Sequence, residues 1–327
     1  MKILVTGATG YLGSHICEYF KNQGHEVSAY IRNPRKAGFL DQLGISYEVG
    51  DIMDKAKLEA ALKSGYDAVI NSVGYVNDRG SWSTFRRLNS ESCKVIGEAM
   101  RGTGTKRLIH ISSIAAYGTY LTNGDESVPS VKTRWNKYGV TKYEGEQQLE
   151  QFDDLIITIL RPSHVLGRRD RTGIIPVLYH TARKFSRWIN KGETVIPVVY
   201  VDDVCQAIEI SLNNPEKTNH QIYNVVNEEE IRIRDALEMA IKKLSFELPK
   251  KNMSYRRAFT LGWINESLSR FLPIKLTMTR ASATMAGKDA SFSNKKITKL
   301  GWKPTKIAVE MVQEWVDWRV EYEKAKL

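Results

Sequence analysis

The sequence predicts an α/β protein with a doubly wound parallel sheet, followed by a smaller and mostly helical part. Three observations predict it. A β-branched run, Lys2 to Val5, ends in a glycine cluster and leads into a segment where Leu12, Ile16 and Phe20 recur at helical spacing. Short apolar runs then alternate with helix-period segments as far as residue 160, the crossover pattern that parallel strands require. At 327 residues the chain is also long for a single unit of roughly 150 residues.

The elements follow in order. Lys2 to Val5 reads as a strand and Tyr11 to Gln23 as a helix. Glu26 to Ile31 (strand), Lys55 to Lys63 (helix), Ala68 to Ser72 (strand) and Ser83 to Arg101 (helix) continue the alternation. Arg107 to Ser112 (strand), Lys137 to Glu150 (helix) and Leu155 to Leu160 (strand) complete it. Beyond Arg161 the pattern loosens: Ile174 to Asn190 reads as helix, Thr194 to Val201 as strand, Asp203 to Leu212 as helix and Gln221 to Val226 as strand. From about residue 230 the chain is mainly helical, ending in Ile307 to Tyr322. The expected division is a core over 1–165 and a second part over 166–327, with about 194–226 returning to the core.

Composition narrows the class. Apolar residues make up 42% and charged residues 26%, the balance of a folded globular protein. Cys17, Cys93 and Cys205 are far apart and form no CxxC pair, so a reducing compartment, the cytoplasm, is the expected location. The N-terminus meets glycine by Gly7 and lacks a signal-peptide pattern, and no stretch reaches the roughly 20 apolar residues that span a bilayer. The formal charge of +11 is uneven, because residues 166–327 carry 28 basic and 19 acidic groups, an excess of +9. Such an excess admits an anionic ligand or surface and selects none. No nucleic-acid reading motif accompanies it, so nucleic acid is not an expected partner.

The glycines of Thr6-Gly7-Ala8-Thr9-Gly10-Tyr11-Leu12-Gly13 stand between the first strand and the first helix. There Gly7 and Gly10 permit a tight turn and close backbone approach to a pyrophosphate. Gly13 permits close helix packing, and the helix N-terminus supplies N–H donors. The second strand ends in Arg32-Asn33-Pro34-Arg35-Lys36, with no carboxylate for a ribose hydroxyl but with cations for a 2′-phosphate. NADP(H) is therefore expected ahead of NAD(H), with Arg32 and Lys36 as its discriminating contacts. Asp51 either accepts from the adenine amino group or caps the helix that starts near residue 55.

Tyr138 and Lys142 lie four apart on a predicted helix and so share a face. An ammonium beside a phenol favours phenolate, giving an acid/base group usable near neutral pH. The strand ending at Ile111 runs into Ser112-Ser113, at the carboxyl edge where open α/β sheets bind ligands. Ser113 is the expected partner of a substrate oxygen. His110 and His164 read as packed histidines. No HxxxH, CxxC or carboxylate cluster calls for a metal.

Together these motifs resemble the extended short-chain dehydrogenase/reductases, the NAD-dependent epimerase/dehydratase-like proteins, over residues 1 to about 230 and more weakly to Pro304. The resemblance implies a Rossmann core. It also implies a Ser113, Tyr138 and Lys142 catalytic set, in which Lys142 additionally holds the nicotinamide ribose. The cofactor set it implies is Gly7, Thr9, Gly10, Tyr11, Leu12, Gly13, Arg32, Lys36, Asp51, Ile52, Ser72, Val73, Gly74, Asn89, Pro162 and Ser163, besides Tyr138 and Lys142. Leu160 to Gly167 resembles the family's LRPxxVYG segment and Tyr200 to Val204 its YVxDVA segment. Leu300-Gly301-Trp302-Lys303-Pro304 resembles its closing LGWxP. Two departures stand out: Asn71-Ser72-Val73-Gly74 replaces the usual HxAA, and Leu166 takes a place often held by tyrosine. The strand end at Arg32 is similar to that of dihydroflavonol-reductase-like and 3β-hydroxysteroid-dehydrogenase-like members, and the family often forms homodimers.

On the substrate side, residues 250–280 hold seven cations (Lys250, Lys251, Arg256, Arg257, Arg270, Lys275, Arg280) against Glu266 alone, interleaved with apolar residues such as Phe259, Leu261 and Trp263. Such a segment roofs a pocket, meets an anionic membrane surface peripherally, or packs with a solvated face. Arg168, Arg169 and Arg171 are candidates for a substrate phosphate or carboxylate, or are loop surface. The leading expectation is an NADP(H)-dependent oxidoreductase acting on a carbonyl or secondary alcohol of a small, partly hydrophobic molecule. The alternatives are a nucleotide-sugar epimerase or dehydratase with tightly held NAD(P), and a non-catalytic NADP-binding scaffold or redox sensor.

Overall fold

A computed structural model of the chain describes all residues except 77–79, 119, 134, 172, 174, 177–186, 245–246, 270–277 and 326–327. Its centre is a seven-stranded, wholly parallel sheet. The first six strands are β1 (Lys2–Thr6), β2 (Glu26–Ile31), β3 (Ser46–Val49), β4 (Ala68–Asn71), β5 (Arg107–Ile111) and β6 (Ile156–Pro162). A seventh, β10 (Gln221–Val225), adds to the β6 edge, giving the spatial order β3-β2-β1-β4-β5-β6-β10. The order reverses between β1 and β4, which opens a crevice at the carboxyl ends of those strands.

Period-two alternation along each strand feeds two helical layers. Ile3 and Val5 of β1 face a core shared with Ile16 and Phe20 of α1 (Tyr11–Asn22) and with Val204 and Ile208 of the helix Val201–Asn213. Leu4 faces the other side. There Leu58 of a helix at Lys55–Leu62, Ile96 and Met100 of a helix at Ser92–Arg101, and Phe152 pack against it. With both faces covered, the buried strands read as the near-continuous apolar runs seen in the sequence. All three cysteines are buried and unbridged within these layers.

A three-stranded sheet stands apart, made of β7 (His164–Leu166), β9 (Val195–Tyr200) and β11 (Glu230–Arg232). It packs with Ile233–Leu244 and Ala308–Lys324 around Trp315 and Met311. The helix expected over 174–190 falls mostly outside the described residues, and its end is instead a strand, β8 (Arg187–Ile189), paired in parallel with β12 (Lys251–Met253). The closing motif locks onto the core: buried Trp302 donates its indole N–H to the Asp203 carbonyl at 2.8 Å, while Thr305 hydrogen-bonds the Asp203 carboxylate. Thus the YVxDVA-like and LGWxP-like segments meet.

The helix Lys137–Leu149 is fixed to the sheet by a buried ion pair. Arg161 of β6 grips Glu146 with two hydrogen bonds, Nε to Oε1 at 2.9 Å and Nη2 to Oε2 at 2.6 Å, and stacks over Tyr117 at 4.4 Å. Ser112, at the end of β5, donates to the same carboxylate. Both charged side chains are under 5% exposed, so Glu146→Ala leaves a guanidinium buried without its counter-ion. A loss of about 3–5 kcal/mol is expected in denaturant titration, whereas a Glu146→Leu/Arg161→Met pair stays within about 2 kcal/mol of the wild type.

Candidate active site

The site forms where the strands end. After β1 the chain turns sharply at Gly7, whose φ is +73°, and Gly10 N–H returns to the Gly7 carbonyl at 2.9 Å. A Cβ at Gly13 would overlap that carbonyl, so the first turn of α1 rests directly on the strand end. Ser72, beyond β4, braces the same turn by donating to the Thr6 carbonyl at 2.8 Å. Beneath it, Asn71 accepts from Thr6 Oγ1 at 2.8 Å and from Val73 N–H at 3.1 Å, and its amide meets His110 Nδ1 at 3.0 Å. The unusual asparagine of NSVG is thereby satisfied by the histidine opposite it on β5. Burial and the Lys142 charge hold His110 neutral, well below its ordinary range.

Asn89 acts through structure. It accepts from Tyr75 N–H at 2.6 Å and donates to the Tyr75 carbonyl and to Thr141 Oγ1, both at 3.1 Å. It therefore shapes the loop that carries Ser72, Val73 and Gly74 and ties it to the helix that carries Tyr138.

That helix is capped by Asn136, which accepts from Gly139 N–H at 2.9 Å. Gly139 lies so close to the Ala115 carbonyl that a Cβ there would overlap it. The contact brings Tyr138 to the turn Ile114–Tyr117, which Ser113 caps by accepting from Ala115 N–H at 3.1 Å. The Ser113 hydroxyl lies near enough to the Tyr138 phenol to favour its ionised form. Ser112 instead faces inward and donates to Glu146.

The sequence-based account of the tyrosine needs correction. Burial raises the Tyr138 phenol above its ordinary value of about 10, and the nearby Ser113 hydroxyl offsets only part of this. Lys142 does not drive it down: its ammonium is buried and donates to the Ile111 carbonyl at 2.6 Å. Burial also lowers the Lys142 pKa, while Cys93 and Glu146 act the other way. A hydrogen bond to the sheet has taken the place of the expected phenol contact.

Two further expectations change. Arg168 and Arg169 are held internally: Arg168 donates to Asp202 and Glu18 at 3.2 Å each, and Arg169 to Glu18 at 2.8 Å. Both guanidiniums are thus paired with carboxylates of this chain, while exposed Arg171 lies over Tyr322 at 4.5 Å. The helix after β3 is capped by Asp54, which accepts from Lys57 N–H, and not by Asp51. Asp51 accepts from Met53 N–H at 3.0 Å and pairs with Arg87 at 2.9 Å, a partner that sequence spacing did not suggest. Arg32, Arg35 and Lys36 are exposed at the end of β2. His164 sits in β7, pushed down to about 4 by burial. Among the described residues no cluster of metal-ligating side chains occurs.

The family model for the NAD dependent epimerase/dehydratase family matches residues 3–226. The chain belongs to that family. It is 26% identical to the decarboxylating sterol-4-alpha-carboxylate 3-dehydrogenase of Mus musculus, covering 96% of this chain and 90% of the relative. It is 23% identical to the 4-hydroxy-2-methyl-3-oxo-4-farnesyl-3,4-dihydroquinoline-1-oxide ketoreductase of Stigmatella aurantiaca, covering 90% of each. The crystal structure of UDP-glucuronic acid 4-epimerase from Bacillus cereus in complex with NAD is similar in fold, with a TM-score of 0.78 at 20% identity, over 98% of this chain and 99% of that one. This family member is an NAD(P)-dependent enzyme of the extended short-chain dehydrogenase/reductase type.

The residues present fit a dinucleotide. A Cβ at Gly7 or Gly13 would collide with neighbouring backbone where N–H groups open α1. Beyond β6, the Ser163 hydroxyl is buried and has no hydrogen-bond partner among the described residues, a donor held ready at the carboxyl edge. Because burial favours the neutral phenol, Tyr138 is expected to stay protonated through neutral pH. A difference absorbance titration of the wild type against Tyr138→Phe checks this, and phenolate appearing below about pH 9 would contradict it.

Proposed function

We propose that this family member is an NADP(H)-dependent oxidoreductase that interconverts a carbonyl and a secondary alcohol on a small, partly hydrophobic substrate. The observation that carries the reading is the Ser113 hydroxyl near the Tyr138 phenol at the carboxyl end of β5, with buried Lys142 four residues along the same helix. In this reading the backbone from Gly7 through Thr9, Gly10, Tyr11, Leu12 and Gly13 holds the pyrophosphate, and exposed Arg32 and Lys36 meet a 2′-phosphate. Asp51 and Ile52 border the adenine, Ser72, Val73 and Gly74 line the middle, and Pro162 and Ser163 face the nicotinamide. The bound cofactor supplies the hydride chemistry.

The chain's own residues position the substrate and handle the proton. Ser113 holds the substrate oxygen, and Tyr138, kept protonated by burial, delivers its proton to that oxygen in the reductive direction. Lys142 places a positive charge beneath the site, anchored to the sheet at Ile111. Trp135, three residues before Tyr138, packs edge-on to Phe259 at 5.8 Å and gives the approach an apolar wall. The sterol and farnesyl-quinoline named for two relatives are consistent with that wall.

Two measurements test the proposal. Fluorescence titration should show NADPH binding that weakens about 10- to 100-fold in Arg32→Ala, with NADH binding unchanged, as expected for loss of a charge-assisted contact. Tyr138→Phe should retain cofactor affinity and lose about 10²- to 10⁴-fold in turnover on a ketone panel. Cofactor that cannot be washed out, with no net NADPH consumption, would move the assignment to a nucleotide-sugar epimerase.

A further inference from the structure

We infer that the exposed face of the helix Tyr255–Leu268 docks the protein onto an anionic lipid bilayer. The helix is fixed from one side. Ala258 and Gly262 are buried, Phe259 meets Trp135 and Tyr255, and a Cβ at Gly262 would lie 2.6 Å from the Thr279 backbone. Its only carboxylate, Glu266, pairs with Arg280 of the neighbouring helix Arg280–Gly287.

The other side is laid out along the axis. Arg256 and Arg257 stand exposed in the first turn, and among the described residues neither is ion-paired. Further along, Leu261, Trp263, Ile264 and Leu268 are 42%, 54%, 38% and 45% exposed. At 100° per residue these positions and the arginines fall within an arc of about 160°, on the side away from Ala258 and Gly262. Arg256 and Arg257 line a shallow depression of about 380 Å³ together with Met253, Thr260 and Leu261. Cations beside an apolar strip that contains tryptophan, with no acid on that face, complement an anionic headgroup layer above acyl chains. The +9 excess of residues 166–327 acts in the same direction. Among the described residues no helix is long and apolar enough to cross a membrane, so the contact lies on the surface. Since Phe259 of this helix touches Trp135 beside Tyr138, docking would turn the site's approach toward the lipid.

Sedimentation with vesicles tests the inference without measuring turnover, so its failure is separable from failure of the oxidoreductase reading. The wild type should co-sediment with phosphatidylglycerol-containing vesicles, bind pure phosphatidylcholine far less, and release as salt rises. Arg256→Gln and Arg257→Gln should each weaken partitioning about fivefold. Trp263→Ser should weaken it about tenfold or more. All three side chains are exposed, and unchanged circular dichroism would confirm folded variants. Three results would overturn the inference: folded wild type that ignores anionic vesicles, binding that survives all three substitutions, or a concentration-dependent dimer abolished by Trp263→Ser, which would assign the face to a second copy of the chain.

Discussion

The buried pairing of Arg161 with Glu146 is the constraint on which the geometry of the site rests. Arg161 belongs to β6, the strand that runs into Ser163, and Glu146 belongs to the helix that presents Tyr138 and Lys142. Ser112 joins the same carboxylate from the end of β5, one residue before Ser113. One charge pair thus fixes the mutual placement of three elements, each carrying a part of the site. Two ions removed from water hold together only where geometry and further hydrogen bonds compensate the lost hydration, and here Ser112 and the Tyr117 ring complete the shell. Tyr117 is tied in turn to Asn224 of β10 at 2.9 Å, so the edge strand also bears on the pair.

What was legible in the sequence was local. Alternation along β1, the glycine turn, and the four-residue spacing of Tyr138 and Lys142 are short-range patterns whose physics acts within one or two elements. Those features reappear with boundaries shifted by a residue or two. The strand end brings both Ser112 and Ser113 into view, and the choice of Ser113 rests on the resemblance of its SSxxxYG string. What escaped was long-range: nothing near Asn71 announces His110, nothing near Arg168 announces Glu18, and nothing near Asp51 announces Arg87. Each is a polar group whose partner arrives from a distant element. The short strands of the small sheet escaped for a related reason, since three residues are too few to establish a period.

The arginines after β7 show how charge misleads when read without topology. Three cations in four residues look like an anion site. Folding instead places Arg168 among Asp202, Glu18 and Glu314, where those carboxylates outweigh the effect of burial and keep it charged. His15 joins through the Arg168 carbonyl at 2.9 Å, and Tyr200 donates to Glu314 on the last long helix. The network therefore stitches α1 to the carboxyl-terminal helix, and its charges serve cohesion between the sheet and the second part.

The burial of all three cysteines has a practical consequence. A thiol reacts as its thiolate, and burial pushes Cys17 up to about 12 and Cys93 up to about 11 while screening both from solvent. Cys205 is enclosed in the same way and likewise raised well above its ordinary value. The native chain is thus expected to resist mild alkylating reagents. A single cysteine introduced on its surface would carry a spectroscopic label alone, which lets a chosen helix report its surroundings without first removing any native residue.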